Sequence, residues 1–175
     1  IGILGLANIA KKAIIPAIKS MPEHFELAGI ATSNPEKMQI ISEEFKVKAF
    51  SSYEDLIKCK EIEAVYIPLP NSLHYEYVKK SLEAGKHVLV EKSLACTYEE
   101  VEELNQLAAK YQLALLENFQ FRKHSQLQYI KNLIETNEIG EIRNIRSSFC
   151  FPPFLDEHNI RYKTELGGGA LLDAG

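Results

Sequence analysis

What this chain lacks narrows its class before any motif is read. Its three cysteines, Cys59, Cys96 and Cys150, form neither a CxxC pair nor an even-numbered framework. That excludes a disulfide scaffold, leaves no metal-ligating pattern, and points to free thiols in a reducing compartment, the cytoplasm. No apolar run approaches the roughly 20 residues that a spanning helix needs, and no secretory leader pattern is seen, so no membrane partner is expected. A basic excess is missing too: 20 Lys and Arg stand against 24 Asp and Glu, a formal net charge of −4. That argues against nucleic acid as a partner. There is no internal repeat, low-complexity tract or long linker. Terminus-like features are also absent. Ile1 already lies inside a strand-like run with no initiator Met, and Gly175 stops within a glycine-rich segment, so the sequence reads as a piece of a longer chain.

What is present is a soluble globular composition, 46% hydrophobic and 25% charged over 175 residues, enough for one good core and the start of a second. Strand-like and helix-like segments alternate. "IGILG", "FELAGIAT", "VKAF", "AVYIPLP", "HVLVEK" and "LALLEN" read as strands. Between them lie helical stretches with recognisable ends. "NIAKKAIIPAIKSM" has helical spacing, with Pro16 expected to kink it or start a shorter helix. Asn34 before Pro35 is a cap followed by a first-turn proline, for a helix running through Phe45. Ser51 with Glu54 and Thr97 with Glu100 read as capping boxes. Asn71 reads as the cap of a helix that Gly85 closes. In the helix after Thr97, the apolar residues 101, 104, 107 and 108 share one face. The alternation predicts βαβ units, hence an α/β fold with a Rossmann-type doubly wound parallel sheet over residues 1–120. After residue 120 the rhythm changes. An amphipathic helix carries Leu127, Ile130 and Ile134 on one side, and "EIRNIRSSFCF" alternates like a half-exposed strand. Residues 121–175 are therefore expected to begin a second α/β domain with an open, mostly antiparallel sheet.

The first turn, "ILGLANIA", nearly matches a dinucleotide fingerprint. That motif needs a tight turn, close backbone approach to a pyrophosphate, and close helix–strand packing. Gly5 meets the first need; Ala7 and Ala10 stand where the other two glycines belong. The free N–H groups at the helix start, around Ala7, Asn8 and Ile9, would face a phosphate. A plain strand–turn–helix joint is the other reading of the same residues. The second strand ends "ATSN" with no acid before Glu36, where an NAD-specific site carries one for the ribose hydroxyls. Ser33 and Asn34 can bond a 2′-phosphate and Lys37 can neutralise it, which favours NADP over NAD. A helix cap beside a solvated lysine is the ordinary alternative.

The most informative block is "YIPLPNSLHYEYVKKSLEAGKHVLVEKSLA", residues 66–95. Pro68 and Pro70 flank Leu69 in the loop leaving the fourth strand, at the carboxyl edge where open α/β sheets bind ligands. Asn71 and His74 lie in the next helical turn, and Glu91 and Lys92 end the next strand at the same edge. A lysine between a nicotinamide and a substrate hydroxyl can act as general acid or base, or orient the group that does.

The order GxAxxA, then "PLPNSLHYEYVKKSLEAGKHVLVEK", then "GGGALLDAG" resembles the glucose–fructose oxidoreductase/inositol dehydrogenase (Gfo/Idh/MocA) family across essentially the whole chain. The resemblance implies a Rossmann domain binding NADP or NAD and a C-terminal domain whose sheet takes the substrate and commonly supports a homo-oligomer. It implies an oxidoreductase passing hydride between nicotinamide and a hydroxyl or keto carbon of a sugar, nucleotide sugar or cyclitol. The family's EKP signature falls on Glu91-Lys92-Ser93, so Lys92 inherits the catalytic lysine. Ser93 replaces a proline that favours the cis peptide common in the family. Asp173 matches the family's Gly-rich acidic segment and inherits a substrate-contacting or proton-relay role. Asn118 and Arg161 stand in stretches that resemble cofactor- and substrate-facing ones, although Arg122 and Arg161 are equally readable as domain-interface salt bridges. A piece lacking most of the substrate pocket is expected to be inactive by itself. A non-catalytic NAD(P)-binding regulator on the same scaffold is the competing function.

Overall fold

The computed structural model describes residues 1–148, 150, 152 and 159–169. Six strands form one sheet: β1 Gly2–Leu4, β2 Gly29–Ala31, β3 Lys48–Phe50, β4 Ala64–Ile67, β5 His87–Val90 and β6 Leu115–Glu117. Their order is β3-β2-β1-β4-β5-β6 and every pairing is parallel. The chain works outward from β1 to β3, then crosses back to place β4 on the other side of β1. That reversal makes a crevice at the carboxyl ends of β1 and β4, where such sheets take ligands.

Strand alternation sorts the core onto two faces. Leu4, Ala31, Val65, Ile67, Val88 and Val90 point to one side, where they join Leu56, Val78, Leu82 and Leu104. Ile3, Ile30 and Tyr66 point to the other, with Ile15, Ile18, Ile41 and Phe45. Burial on both faces is why the central strands read as apolar runs.

The helices are α1 Ile15–Lys19, α2 Pro35–Ile40, α3 Tyr53–Lys58, α4 Asn71–Glu83, α5 Tyr98–Tyr111 and α6 Ser125–Glu135. A wider π-helical turn, Ala10–Ile14, leads into α1, and another, Ile41–Phe45, continues α2 to the expected end at Phe45. Pro16 is the second residue of α1, so the shorter helix expected from it does begin there, directly after the wider turn. The Ile15 N–H reaches back to the Ala10 carbonyl, so the ladder has widened one turn before the residue that has no N–H to give.

Two caps fall one residue from the expected place. Ser52, not Ser51, caps α3, accepting from the Asp55 N–H at 3.0 Å, while Ser51 Oγ donates to the Asp55 carboxylate at 3.3 Å. Pro70 precedes α4, and Asn71 is its first helical residue. Adjacent residues of cap-forming type make such one-position shifts unreadable from type alone. The Thr97–Glu100 box forms as expected, and Gly85 ends α4 at φ +76.

Beyond residue 120, α6 forms, but Leu127, Ile130 and Ile134 are 39%, 39% and 40% exposed. Residues 141–148 form no strand, contrary to their alternation. A strand needs a neighbour's N–H and C=O groups along its length, and no segment among the described residues pairs with this one. All three cysteines are free thiols. Among the described residues, no helix is long and apolar enough to cross a membrane.

Candidate active site

The parallel register gathers the candidate residues at one edge. Past the ends of the strands the ladder continues: Gly5 N–H donates to Ala31 O at 2.8 Å, Glu91 N–H to Ile67 O at 3.0 Å, and Asn118 N–H to Val90 O at 2.8 Å. The turn after β1 and the segments following β5 and β6 therefore all leave the sheet at its carboxyl edge, with those after β5 and β6 adjacent.

Gly5 has φ +90, and a Cβ there would lie 2.9 Å from Leu69 Cδ2. Glycine is needed at this position for both reasons, the left-handed backbone and the approach of the β4–α4 loop. The buried Leu69 side chain therefore roofs the first turn. Ala7 is half-buried and its carbonyl accepts from Lys11 N–H at 3.2 Å, while Asn8 and Ile9 are exposed at the start of the helix. The N–H groups of a first helical turn have no partner along the helix, and the positive end of the helix dipole lies there too.

At the end of β2, Asn34 caps α2, its Oδ1 accepting from Glu36 N–H at 2.9 Å, and its own N–H donates to Thr32 Oγ1 at 3.2 Å. Ser33 and Lys37 are exposed beside it. The cap occupies the Asn34 oxygen and leaves its amide NH2 group to the solvent side.

A tighter cluster joins the ends of β4, β5 and β6. Glu91 Oε1 accepts from Tyr66 OH at 2.7 Å and from Asn118 Nδ2 at 2.7 Å. Burial, together with the Glu91 carboxylate, raises the Tyr66 phenol well above its usual pKa, so it stays protonated and donates. Glu117 Oε1 accepts from the Leu94 N–H at 2.8 Å. His74 is fully buried, with Nδ1 2.5 Å from Ser93 O and Nε2 2.8 Å from Leu69 O. Desolvation lowers its pKa from the usual histidine range, against the opposing pull of the two carbonyls and of Glu91 and Glu117. In the neutral ring the shorter contact assigns the proton to Nδ1, donating to Ser93. Lys92 lies half-buried between Glu91 and Ser93, and its peptide to Ser93 is cis.

Asn71 takes a different partner from the helix end: its Nδ2 donates to Gly167 O at 2.9 Å. Gly167 has φ +73, and a Cβ there would lie 2.7 Å from Asn71 Cβ and 3.1 Å from Ser72 N. The segment 159–169 thus lies against the start of α4. Pro70 is half-buried just before it. Arg161 is exposed on the short turn Ile160–Tyr162, where its carbonyl accepts from Gly169 N–H at 2.9 Å. Asp173 lies outside the described residues.

The structure therefore links Gly5 with Leu69, Leu69 with His74, His74 with Ser93, and Glu91 with Asn118. Ser33, Asn34 and Lys37 form a separate group at the β2 end. Sequence reasoning passed over Tyr66, Glu117 and Gly167. The first two carried a signal, a hydroxyl and a carboxylate inside strands otherwise apolar; the third shows only when its backbone is seen against α4.

Comparison with known proteins agrees with this arrangement. The family model GFO_IDH_MocA, described as an oxidoreductase family with an NAD-binding Rossmann fold, matches residues 1–119, and the model of the GFO/IDH/MocA C-terminal domain matches residues 127–175. The chain is 41% identical over 175 residues to the dTDP-3,4-didehydro-2,6-dideoxy-alpha-D-glucose 3-reductase of Saccharopolyspora spinosa, covering 100% of this chain and 52% of that protein. It is 34% identical over 175 residues to a D-xylose 1-dehydrogenase (NADP(+)) of Haloferax volcanii, covering 99% of this chain and 53% of that one. Among solved structures, a 3-ketoreductase from Actinomadura kijaniata in complex with NADP and TDP-benzene superposes with a TM-score of 0.93 at 37% identity, covering 99% of this chain and 53% of that chain. The chain spans about half the length of the curated relatives it matches.

Proposed function

Because the chain belongs to the Gfo/Idh/MocA oxidoreductase family, we propose that this protein is an NADP-dependent reductase of a keto carbon on a sugar, most naturally a nucleotide-linked one. The similar proteins named above, which reduce or oxidise sugar carbons, support the substrate class. The observation that carries the reading is the junction of the Gly5 turn with the loop bearing Lys92, through Leu69 and His74.

The residues fit a dinucleotide. Gly5 has the positive φ, +90, that a tight fingerprint turn requires, and a helix start with N–H groups that have no partner along the helix follows it. No carboxylate occupies residues 32–35, and Ser33, Asn34 and Lys37 offer donors and a positive charge for a 2′-phosphate. NADPH bound there would supply the hydride and leave as NADP. The chain supplies positioning and charge. Lys92, at the carboxyl end of β5, donates a hydrogen bond or a proton to the substrate oxygen as negative charge develops on it. Glu91, held by Tyr66 and Asn118, fixes the backbone from which Lys92 projects. Asp173 is the candidate for a substrate contact or proton relay. Residues 121–175 are proposed to open the substrate domain, with residues 141–151 joining an open antiparallel sheet that also mediates self-association.

The experiment uses the full-length protein, NADPH and a panel of keto-sugar nucleotides and free sugars. Wild type is expected to turn over at least one, and Lys92→Ala to lose turnover by about 100-fold or more, in the range for a positioned proton donor, with NADPH affinity retained. Unchanged catalysis in Lys92→Ala would reject its role. NADPH binding without turnover of any substrate would favour the regulator.

A further inference from the structure

We propose that His74 is a positioning residue: it does not touch cofactor or substrate, but pins the loop carrying Lys92 to the start of α4 through the Ser93 carbonyl. The ring lies between two backbone carbonyls from different loops, and in its neutral form the one N–H, on Nδ1, donates to Ser93 O. Ser93 O, one residue past Lys92, is 2.5 Å from Nδ1, and Leu69 O is 2.8 Å from Nε2. The ring is fully buried and both its nitrogens are occupied by carbonyls, so it has neither an exposed edge nor a free polar atom to offer a ligand.

Its place in the fold makes the tie useful. His74 lies in the first turns of α4, anchored by Val78 and Leu82 in the core below. Leu69 contacts the Gly5 turn through its side chain and His74 through its carbonyl. The ring thus holds the lysine loop against the helix that follows the loop over the Gly5 turn. On the far side, Glu117 holds the Leu94 N–H at 2.8 Å and Tyr66 and Asn118 hold Glu91. The residues on both sides of Lys92 are therefore held, Glu91 and Leu94 by side chains of the sheet and Ser93, through its carbonyl, by His74. A lysine that must meet a reacting oxygen within a fraction of an ångström depends on that pinning, since a displacement of about 1 Å can cost about 100-fold in rate.

The inference rests on the proposed reductase reading, and its test separates the two. Three variants of the full-length protein divide the ring's contacts. In His74→Asn the amide NH2 occupies the Nδ1 position and keeps the bond to Ser93 O. In His74→Gln it occupies the Nε2 position and keeps only Leu69 O. His74→Phe fills the space and makes neither. Two readouts are taken, with the melting temperature of each variant recorded: amide hydrogen exchange at Ser93 and Leu94 without cofactor, and kcat and KM with NADPH.

His74→Phe and His74→Gln are expected to exchange at Ser93 and Leu94 about 10-fold faster or more, with kcat down about 10- to 100-fold and the KM for NADPH within about 3-fold. His74→Asn is expected to stay near wild type in both. Unchanged exchange at Ser93 and Leu94 in His74→Phe would overturn the tie. So would an equal kcat loss in all three variants, or a loss confined to the KM for NADPH. Should the wild type turn over no substrate, the reductase reading falls while the exchange measurement still decides the tie.

Discussion

At the scale of single residues, the site is built from groups whose partners are already taken. Tyr66, Glu91 and Asn118 form one closed set, and His74 spans two carbonyls. Such sets rigidify when every member is satisfied and are costly to break. His74 also makes stability depend on pH. Desolvation lowers its pKa in the folded protein below the usual value of 6.5. The unfolded chain then binds more protons through that interval, so stability rises with pH there. The contribution of the neutral ring is fully present above the unfolded value and is lost as pH falls through the lower folded one. Urea unfolding of wild type and His74→Gln between pH 7.5 and pH 5 is expected to give the steeper loss on acidification in wild type. Equal slopes would mean that the ring protonates as easily folded as unfolded. The types of these residues were legible in the sequence; their bonds were not, because a histidine four residues into a helix gives no hint that carbonyls of two separate loops converge on it.

At the scale of elements, the helix ends show which signals are strong. The Thr97–Glu100 box is reciprocal: Thr97 Oγ1 accepts from Glu100 N–H at 3.3 Å, and Glu100 Oε2 accepts from the N–H groups of Thr97 at 3.2 Å and Cys96 at 3.0 Å. It starts α5, which packs against α4 and whose Leu104 and Ala108 are buried in the shared core cluster. Thr97→Ala is expected to lower stability by about 1 kcal/mol, seen as a lower urea midpoint with an unchanged slope; an unmoved midpoint would show that Glu100 alone holds the end. Ser51 and Asn71 show the limit. Each is a good capping type in the right neighbourhood, yet Ser52 caps α3 and Asn71 instead bonds Gly167. In the second case the Asn71 amide NH2 reaches a partner 96 residues away in sequence, from a position already inside the helix. The wide turn before Pro16 runs directly into α1, and Ala10, Ile15 and Ile18 join one core cluster across that junction.

At the scale of the whole molecule, the 3-2-1-4-5-6 order sets the site. It puts the β4 loop between the β1 turn on one side and the Lys92 loop on the other. A dinucleotide held across them should stabilise the folded state by mass action, by about 2.7 kcal/mol at 100 times its dissociation constant. Thermal unfolding of the full-length protein is therefore expected to shift upward more with NADP than with NAD. Lys37→Ala should remove most of that difference while leaving the NAD shift in place. Equal shifts with the two cofactors in wild type would end the argument from Ser33, Asn34 and Lys37.

The sequence by itself determined the strand–helix alternation, the glycine turn after the first strand, and the block from Leu69 to Ser93 that carries the family resemblance. These rest on period, on residue size and on local backbone chemistry, all of which act over a few neighbouring positions. Only the tertiary structure decided that Leu69 would close over Gly5, that His74 would be sealed between two loops, that Glu91 would draw in Tyr66 and Asn118, and that residues 141–148 would stand without a strand partner. Each of those depends on which segments the parallel register brings to one edge, and contacts between segments far apart along the chain leave no local pattern to read.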